Sequence, residues 1–322
     1  MLGLFTDIDY YLILLLGALF AFGGTAYATA KFKKYLPSDQ GRAFAVEGAK
    51  SAGKARGAGI IFVLVFTLSA LIFAELSVEL VIYLLLVVFE MITGFLDDAS
   101  AKPWGEYLKG FLDFVIAALV AVNYIYFNGT AMYIPFAGAT IELPVWLFGI
   151  LTIILVWVAI NVTNCSDGVD GLSASLVITT LMGFYAAYEI FGECGEFSYV
   201  IVLFIMCLMA YLWFNATPSI ILMGDAGSRA MGIFVAIVAL KSGSPLLYIL
   251  LSLVLILDGG LGLLKVALIR FCKIHILKNT RTPLHDHVRK NLEWSNTHVV
   301  FRFVIVQAFI CVLTIYAIMI FD

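Results

Sequence analysis

The chain has 322 residues, 63% hydrophobic and 13% charged, with a formal net charge of −3 and a mean hydropathy of +1.04. That balance excludes an ordinary soluble domain and points to a polytopic membrane protein. The net charge says little about partners, no nucleic-acid partner is expected, and Cys165, Cys194, Cys207, Cys272 and Cys311 show no paired spacing for a disulfide framework or a zinc module.

A membrane-crossing helix needs about 20 apolar residues. About ten candidate runs follow one another, at roughly 9–30, 57–75, 78–96, 108–127, 144–162, 171–191, 198–215, 228–241, 246–271 and 299–320. The fold expected is therefore an all-α polytopic membrane protein, a single transmembrane domain over 1–322. The start, MLGLFTDIDYY, has no basic stretch, so the first run reads as a retained helix and not a cleaved signal. No internal repeat of the halves is visible, which weakens an inverted-repeat transporter reading.

The first loop, DQGRAFAVEGAKSAGKARGAGI (39–60), mixes glycine, alanine and basic residues; Lys54 and Arg56 could reach a polyanion. Together with Lys31, Lys33, Lys34, Arg42 and Lys50 it forms one basic block, and Arg270, Lys273, Lys278, Arg281, Arg289 and Lys290 form another after the ninth run. The opposite loops (76–78, 124–143, 192–197) hold no Lys or Arg, and only Lys241 faces that way. The positive-inside rule then places both termini outside and the basic loops in the cytoplasm.

Asp97 and Asp98 end the third run, in GFLDD. Adjacent helical residues point about 100° apart, so one can face a metal and the other a substrate; a capped helix end is the plainer reading. The segment NGTAMYIPFAGATIELP (128–144) reads as a small external β-hairpin, from its Asn-Gly, alternating apolar residues and Gly-Ala. Asn161, Asn164, Asp167 and Asp170 recur every third residue on a slowly rotating helical face, with Gly168 and Gly171 allowing a break. Oxygen ligands of this kind suit a hard cation such as Mg2+.

In NATPSIILMGDAGSRAMG (215–232), glycines flank Asp225, Ser228 can cap the following short helix, and Arg229 either adds charge for a phosphate or snorkels to the interface. The ninth run carries Asp258-Gly259-Gly260 near its middle, where glycines permit a bend and an acid needs a polar partner or water. RTPLHDHVRK (281–290) sets His285 and His287 around Asp286 beside basic residues, suited to a phosphate or pyrophosphate; a solvated charged loop is the alternative.

Asp97, Asp98, Asp167, Asp170 and Asp225 all fall at ends of hydrophobic runs and, by helix count, at the cytoplasmic face. An acid near the bilayer centre costs about 2.5–3.5 kcal/mol on insertion scales. Carboxylates, amides, histidines and cations gathered on one face form a phosphoryl-transfer inventory. A cation- or proton-coupled transporter also needs intramembrane acids, but places them near the midplane.

The motifs GFLDD (94–98), NVTNCSDGVDGL (161–172), NATPSIILMGDAGS (215–228) and PLHDH (283–287), in this order, resemble the polyprenyl-phosphate N-acetylhexosamine-1-phosphate transferase superfamily over nearly the whole chain. The histidine run and the 39–59 loop most resemble its bacterial phospho-N-acetylmuramoyl-pentapeptide transferase branch. The resemblance implies a multi-pass protein of the bacterial inner membrane. Its reaction would move phospho-MurNAc-pentapeptide from UDP-MurNAc-pentapeptide onto undecaprenyl phosphate, giving lipid I and UMP, at the cytoplasmic face. It implies Asp225 as the Mg2+ ligand and, with Asp97 and Asp98, as catalytic. It implies Lys54, Lys109, Asn164, Asp167, Asp170, Asn215, His285 and His287 as substrate-binding. The polyprenyl chain would lie in an apolar groove beside the bent ninth run. The chain departs from the pattern at Asp286, where the family commonly has a third histidine, and at Leu222, where many relatives have an aromatic residue. A sister enzyme using UDP-N-acetylglucosamine is the nearest rival, and the oligomeric state, a homodimer included, is open.

Overall fold

The computed structural model describes residues 10–39, 41, 51–100, 102–191 and 196–321. The first nine residues, Arg42, Lys50 and Cys194, invoked above, lie outside them.

Among the described residues, eleven helical elements follow in chain order. They are α1 (Tyr10–Phe32, extended by a 3-10 turn Lys33–Tyr35), α2 (Gly59–Phe73), α3 (Val78–Ala99), α4 (Glu106–Asn128), α5 (Val145–Cys165), α6 (Leu172–Phe191), α7 (Glu196–Asn215), α8 (Gly224–Lys241), a broken rod α9 over 247–272, α10 (Leu284–Asn291) and α11 (Asn296–Phe321). Seven of them, α1, α3, α4, α5, α6, α7 and α11, are long and apolar enough to cross a membrane. Large apolar side chains point outward along them, such as Tyr107, Phe111 and Val122 on α4 and Phe301, Ile305 and Phe309 on α11. Lipid is the medium that accepts such a surface, and helices with internally satisfied backbones are what can cross it. The chain is a multi-pass membrane protein.

The other three expected spans differ from plain apolar rods. α2 is apolar but has only 15 residues. α8 is the centre of the bundle: every residue from Gly224 to Leu240 is buried, against α2, α3, α5 and α6. A helix surrounded by helices can carry Gly, Ala, Ser and even Arg where a lipid-facing one cannot. α9 breaks near Ser252 and again at a π-helical segment, Ile256–Gly260. Gln307 of α11 mends the first break: its Oε1 accepts Val254 N–H at 2.8 Å and its Nε2 donates to Leu251 O at 2.6 Å.

The hairpin is present as an antiparallel pair, β1 (Ala131–Ile134) with β2 (Ala139–Glu142), in the register Ala131↔Glu142 to Ile134↔Ala139. Its turn is 135–138. Asn128-Gly129 instead closes α4, with Gly129 at φ +75° donating its N–H to Ile125 O. The hairpin joins the C-terminus of α4 to the N-terminus of α5. It therefore sits at the end of the bundle away from Asp97, Asp98 and Asp225.

Candidate active site

Helix direction gathers the acids. α3 runs toward one end of the bundle and finishes with Asp97 and Asp98; α8 starts there, with Asp225 in its first turn. α3 and α8 approach closely because Gly94 rests on the Asp225 backbone: a Cβ at Gly94 would lie 2.5 Å from the Asp225 carbonyl carbon. Gly224, at φ +68°, leaves the room that the Asp98 carboxylate fills.

Asp97 and Asp98 diverge, as adjacent helical residues must. Asp98, its side chain 0% exposed, accepts Arg56 Nε at 2.8 Å and Ala226 N–H at 3.2 Å. Asp97 pairs with Lys109 and accepts Trp104 N–H at 2.6 Å. Asp225, 10% exposed, meets Lys109 Nζ at 3.2 Å and Arg56 Nη2 at 3.5 Å. Arg56 also holds Asp39 at 3.0 Å, and Ser51 Oγ donates to Asp39 at 2.6 Å. Among the described residues, four carboxylates thus share two cations, Arg56 and Lys109. Burial disfavours the charge on Arg56, but Asp98, Asp225 and Asp39 more than offset it and hold its pKa above the ordinary value. Burial likewise pushes Asp39 up, while Ser51 and Arg56 bring it below the usual carboxylate range.

Arg56 is placed by backbone pairing of its loop with the α7–α8 connection. Leu222 N–H donates to Ala55 O at 2.8 Å, Ala58 N–H to Leu222 O at 3.0 Å and Gly59 N–H to Met223 O at 3.0 Å. Beside this seam opens a polar pocket of about 650 Å³. Its walls include Lys54 and Arg56, Asp167 and Asp170, Asn215 and Leu222, and Arg289, Trp294 and Asn296. Lys54 Nζ stands 3.6 Å from Asp170 and donates to Ser219 Oγ at 2.8 Å.

The Asn161–Asp170 series does not share one face. α5 ends at Cys165, so Asp167 and Asp170 lie on the connection to α6 and line the pocket. Asn164 instead donates to Ser228 Oγ at 2.9 Å, and Asn161 to Asp113 at 3.1 Å. Asn215 lines the pocket, yet its amide serves the backbone: Oδ1 accepts Gly171 N–H and Nδ2 donates to Ile221 O, both at 2.8 Å. Ser228 does not cap α8. The helix starts at Gly224, and the hydroxyl donates back to Gly224 O at 3.0 Å. Arg229 neither snorkels nor faces the pocket; it is buried with Glu90 and Asp113.

The two histidines part. His285 is buried, and Asp258 is its partner, accepting His285 N–H at 2.8 Å and lying 2.9 Å from Nδ1. Burial opposes the charge on the ring, but Asp258 outweighs it and raises the His285 pKa. The ring packs on Gly168, where a Cβ would collide with it. His287 instead accepts Arg281 N–H at 3.3 Å, away from this packing. The mid-run acid thus has its polar partner. Asp39, Ser51 and Asp258 join the network without having been expected as site residues, and Arg56, expected only to reach a polyanion, meets three carboxylates.

Among the described residues no three histidine, cysteine or carboxylate side chains form a ready metal cage. The oxygen-only donors of Asp97, Asp98 and Asp225 suit a hard cation bound through one or two carboxylates.

The family model described as Glycosyl transferase family 4 matches residues 80–243, from Leu80 of α3 to just past the end of α8. Two Treponema pallidum proteins, one from each of two strains and both named phospho-N-acetylmuramoyl-pentapeptide-transferase, are 40% identical over 329 aligned positions, covering 96% of this chain and 91% of theirs. A Clostridium perfringens (strain SM101) protein of the same name is 32% identical over 281 positions, 82% of this chain and 84% of its own. The chain belongs to glycosyl transferase family 4, among the phospho-N-acetylmuramoyl-pentapeptide-transferases.

Proposed function

We propose that the chain is one transmembrane catalytic domain that transfers phospho-MurNAc-pentapeptide from UDP-MurNAc-pentapeptide to undecaprenyl phosphate, giving lipid I and UMP. The observation that carries this reading is the junction of the Asp97–Asp98–Asp225 cluster, with its Arg56 and Lys109, and the polar pocket, in a chain so similar to relatives of that name.

In the reaction a phosphate oxygen of the lipid bonds to the β-phosphorus of the donor. The bond from that phosphorus to the bridging oxygen breaks, and the oxygen leaves with UMP. Asp97 or Asp98 takes the proton of the lipid phosphate or orients it. Arg56 and Lys109, already matched to oxyanions, exchange carboxylate partners for phosphate oxygens. Lys54, Asp167, Asp170 and Asn215 bind or shape the nucleotide side of the pocket, Asn164 serves substrate binding from beside Ser228 at the head of α8, and His285, braced by Asp258, and His287 serve the donor. Asp225 is the residue that would hold Mg2+, which when bound neutralises charge on the pyrophosphate. The polyprenyl chain lies along the apolar flank of α9, where Leu264, Val266 and Phe271 are exposed. The site end carries Lys31, Lys33, Lys34, Arg270 and Lys273 and the far end Lys241, which supports a cytoplasmic site and external termini in the bacterial inner membrane.

The test uses the purified full chain in detergent with undecaprenyl phosphate and each donor in turn. UMP release with UDP-MurNAc-pentapeptide, dependent on Mg2+, is the expected result. Equal or faster release with UDP-N-acetylglucosamine would assign the sister activity instead, and no release with either would refute the transferase reading.

A further inference from the structure

One helical turn deeper than the candidate active site lies a second charged layer. Arg229 of α8 donates Nε to Glu90 of α3 at 2.8 Å and pairs through Nη2 with Asp113 of α4. The remaining Asp113 oxygen accepts Asn161 Nδ2 of α5. All three ionic side chains are buried.

On α4, α5 and α8 the layer repeats the site about one turn above it. Arg229 follows Asp225 by four residues on α8, and Asp113 follows Lys109 by four on α4. Asn161 precedes Asn164 on α5, and Glu90 precedes Gly94, the residue resting on the Asp225 backbone, by four on α3. Four residues are about one turn, or about 6 Å of rise. On α4 and α8 the charge signs invert between layers: lysine over aspartate, and aspartate over arginine.

A buried ionic triad is a poor stabiliser, because desolvation of the ions consumes most of their attraction. This one is not fully satisfied either: Glu90 Oε2 and Arg229 Nη1 have no hydrogen-bond partner among the described residues. The best-attested use of such a group is to fix register between packed elements. Apolar side chains between smooth helices leave axial sliding cheap, whereas a guanidinium forked between two carboxylates on two helices fits at one height only.

We propose that Arg229, gripped by Glu90 and Asp113, is a positioning residue that fixes the height of α8 against α3 and α4 and so keeps Asp225 level with Asp98 and Lys109. This rests on the transferase reading, and it adds to that reading three residues remote from the reacting atoms.

The experiment compares the wild-type full chain in detergent, with undecaprenyl phosphate and the donor that supports turnover, with two sets of variants. In the first, Glu90→Met, Asp113→Asn and Arg229→Met are combined, which removes the ions while Asn161 keeps an acceptor. The expected result is a folded protein whose kcat for UMP release falls at least about tenfold with the donor KM within about threefold, since an ångström-scale misplacement of catalytic groups costs about that or more. Should the combination not fold, Arg229→Lys serves alone. It keeps the charge but loses the two-way fork, and its kcat falls severalfold with Tm unchanged. The control is Glu79→Gln with Lys241→Met, a partly buried ion pair at the far end of the bundle, which leaves kcat unchanged. Wild-type kcat in the folded combination or in Arg229→Lys, or an equal loss in the control, would overturn the proposal. An inactive wild-type chain would instead refute the transferase reading.

Discussion

Gly94→Ala probes how tightly α3 must seat on α8. The added Cβ would stand 2.5 Å from the carbonyl carbon and oxygen of Asp225 and 2.6 Å from Ala226 N. These are backbone atoms, so no rotamer change relieves the clash. Ordinary contact begins near 3.4 Å, and the two helices must therefore part by about 1 Å at the level of Asp225. Overpacking of this kind costs about 1–3 kcal/mol. Its effect on chemistry is larger, because a misplacement of 1 Å can cost about 100-fold in rate. The expected outcome is a modest fall in Tm and a kcat for UMP release reduced by about one to two orders of magnitude. Gly110→Ala is the matched control. It sits next to Lys109 on α4 with nothing within 4 Å of its added carbon, and alanine in a helix interior is favoured over glycine by about 1 kcal/mol. Gly94→Ala with wild-type turnover and wild-type Tm would refute the idea that this close approach sets the site.

The His285–Asp258 pair gives a pH signature. Because the folded His285 pKa is raised, its contribution to stability is fully present below the unfolded value of about 6.5 and is lost as pH rises through the higher folded value. The Tm difference between wild type and Asp258→Asn should therefore be greatest near pH 6 and shrink toward pH 9; a gap constant with pH contradicts the pairing. Gln307→Leu should lower the thermal midpoint without changing the donor KM, since it strips partners from Val254 N–H and Leu251 O inside the bundle, at about 1–3 kcal/mol for each group left unsatisfied. An unchanged midpoint would show that the break in α9 needs no mending by α11.

The helical frame is largely legible in the sequence, because lipid-facing helices need long apolar runs whatever they pack against. α8 looks short there for a physical reason: enclosed by helices, it can open with Gly-Asp-Ala-Gly-Ser-Arg and need not be apolar at that end. Asp97, Asp98 and Asp225 come together as their positions at helix ends suggest, Lys109, which only the family resemblance singles out, joins them, and Lys54 reaches Asp170 across the pocket. Asp39 and Ser51 carry no local signal, since what places them is the pairing of Asp39 with Arg56 across a loop and of Ser51 with Asp39. The triplet spacing of Asn161 to Asp170 misleads because it presumes a helix continuing past Cys165. Arg229 misleads because a lone arginine beside a glycine turn looks the same whether its partners lie in solvent or on two neighbouring helices. Asp258 stands out in the sequence as an acid in need of a partner, and only the fold of 273–285 back onto α9 supplies His285.

The most direct measurement is UMP release by Asp225→Asn, with undecaprenyl phosphate and UDP-MurNAc-pentapeptide in detergent at saturating Mg2+. The substitution keeps the shape of the side chain and removes the charge that both Lys109 and Arg56 approach. Turnover should vanish while the protein stays folded and monodisperse. Near-native turnover from that folded variant would mean that the acidic cluster at the head of α8 is not where the phosphoryl group is transferred.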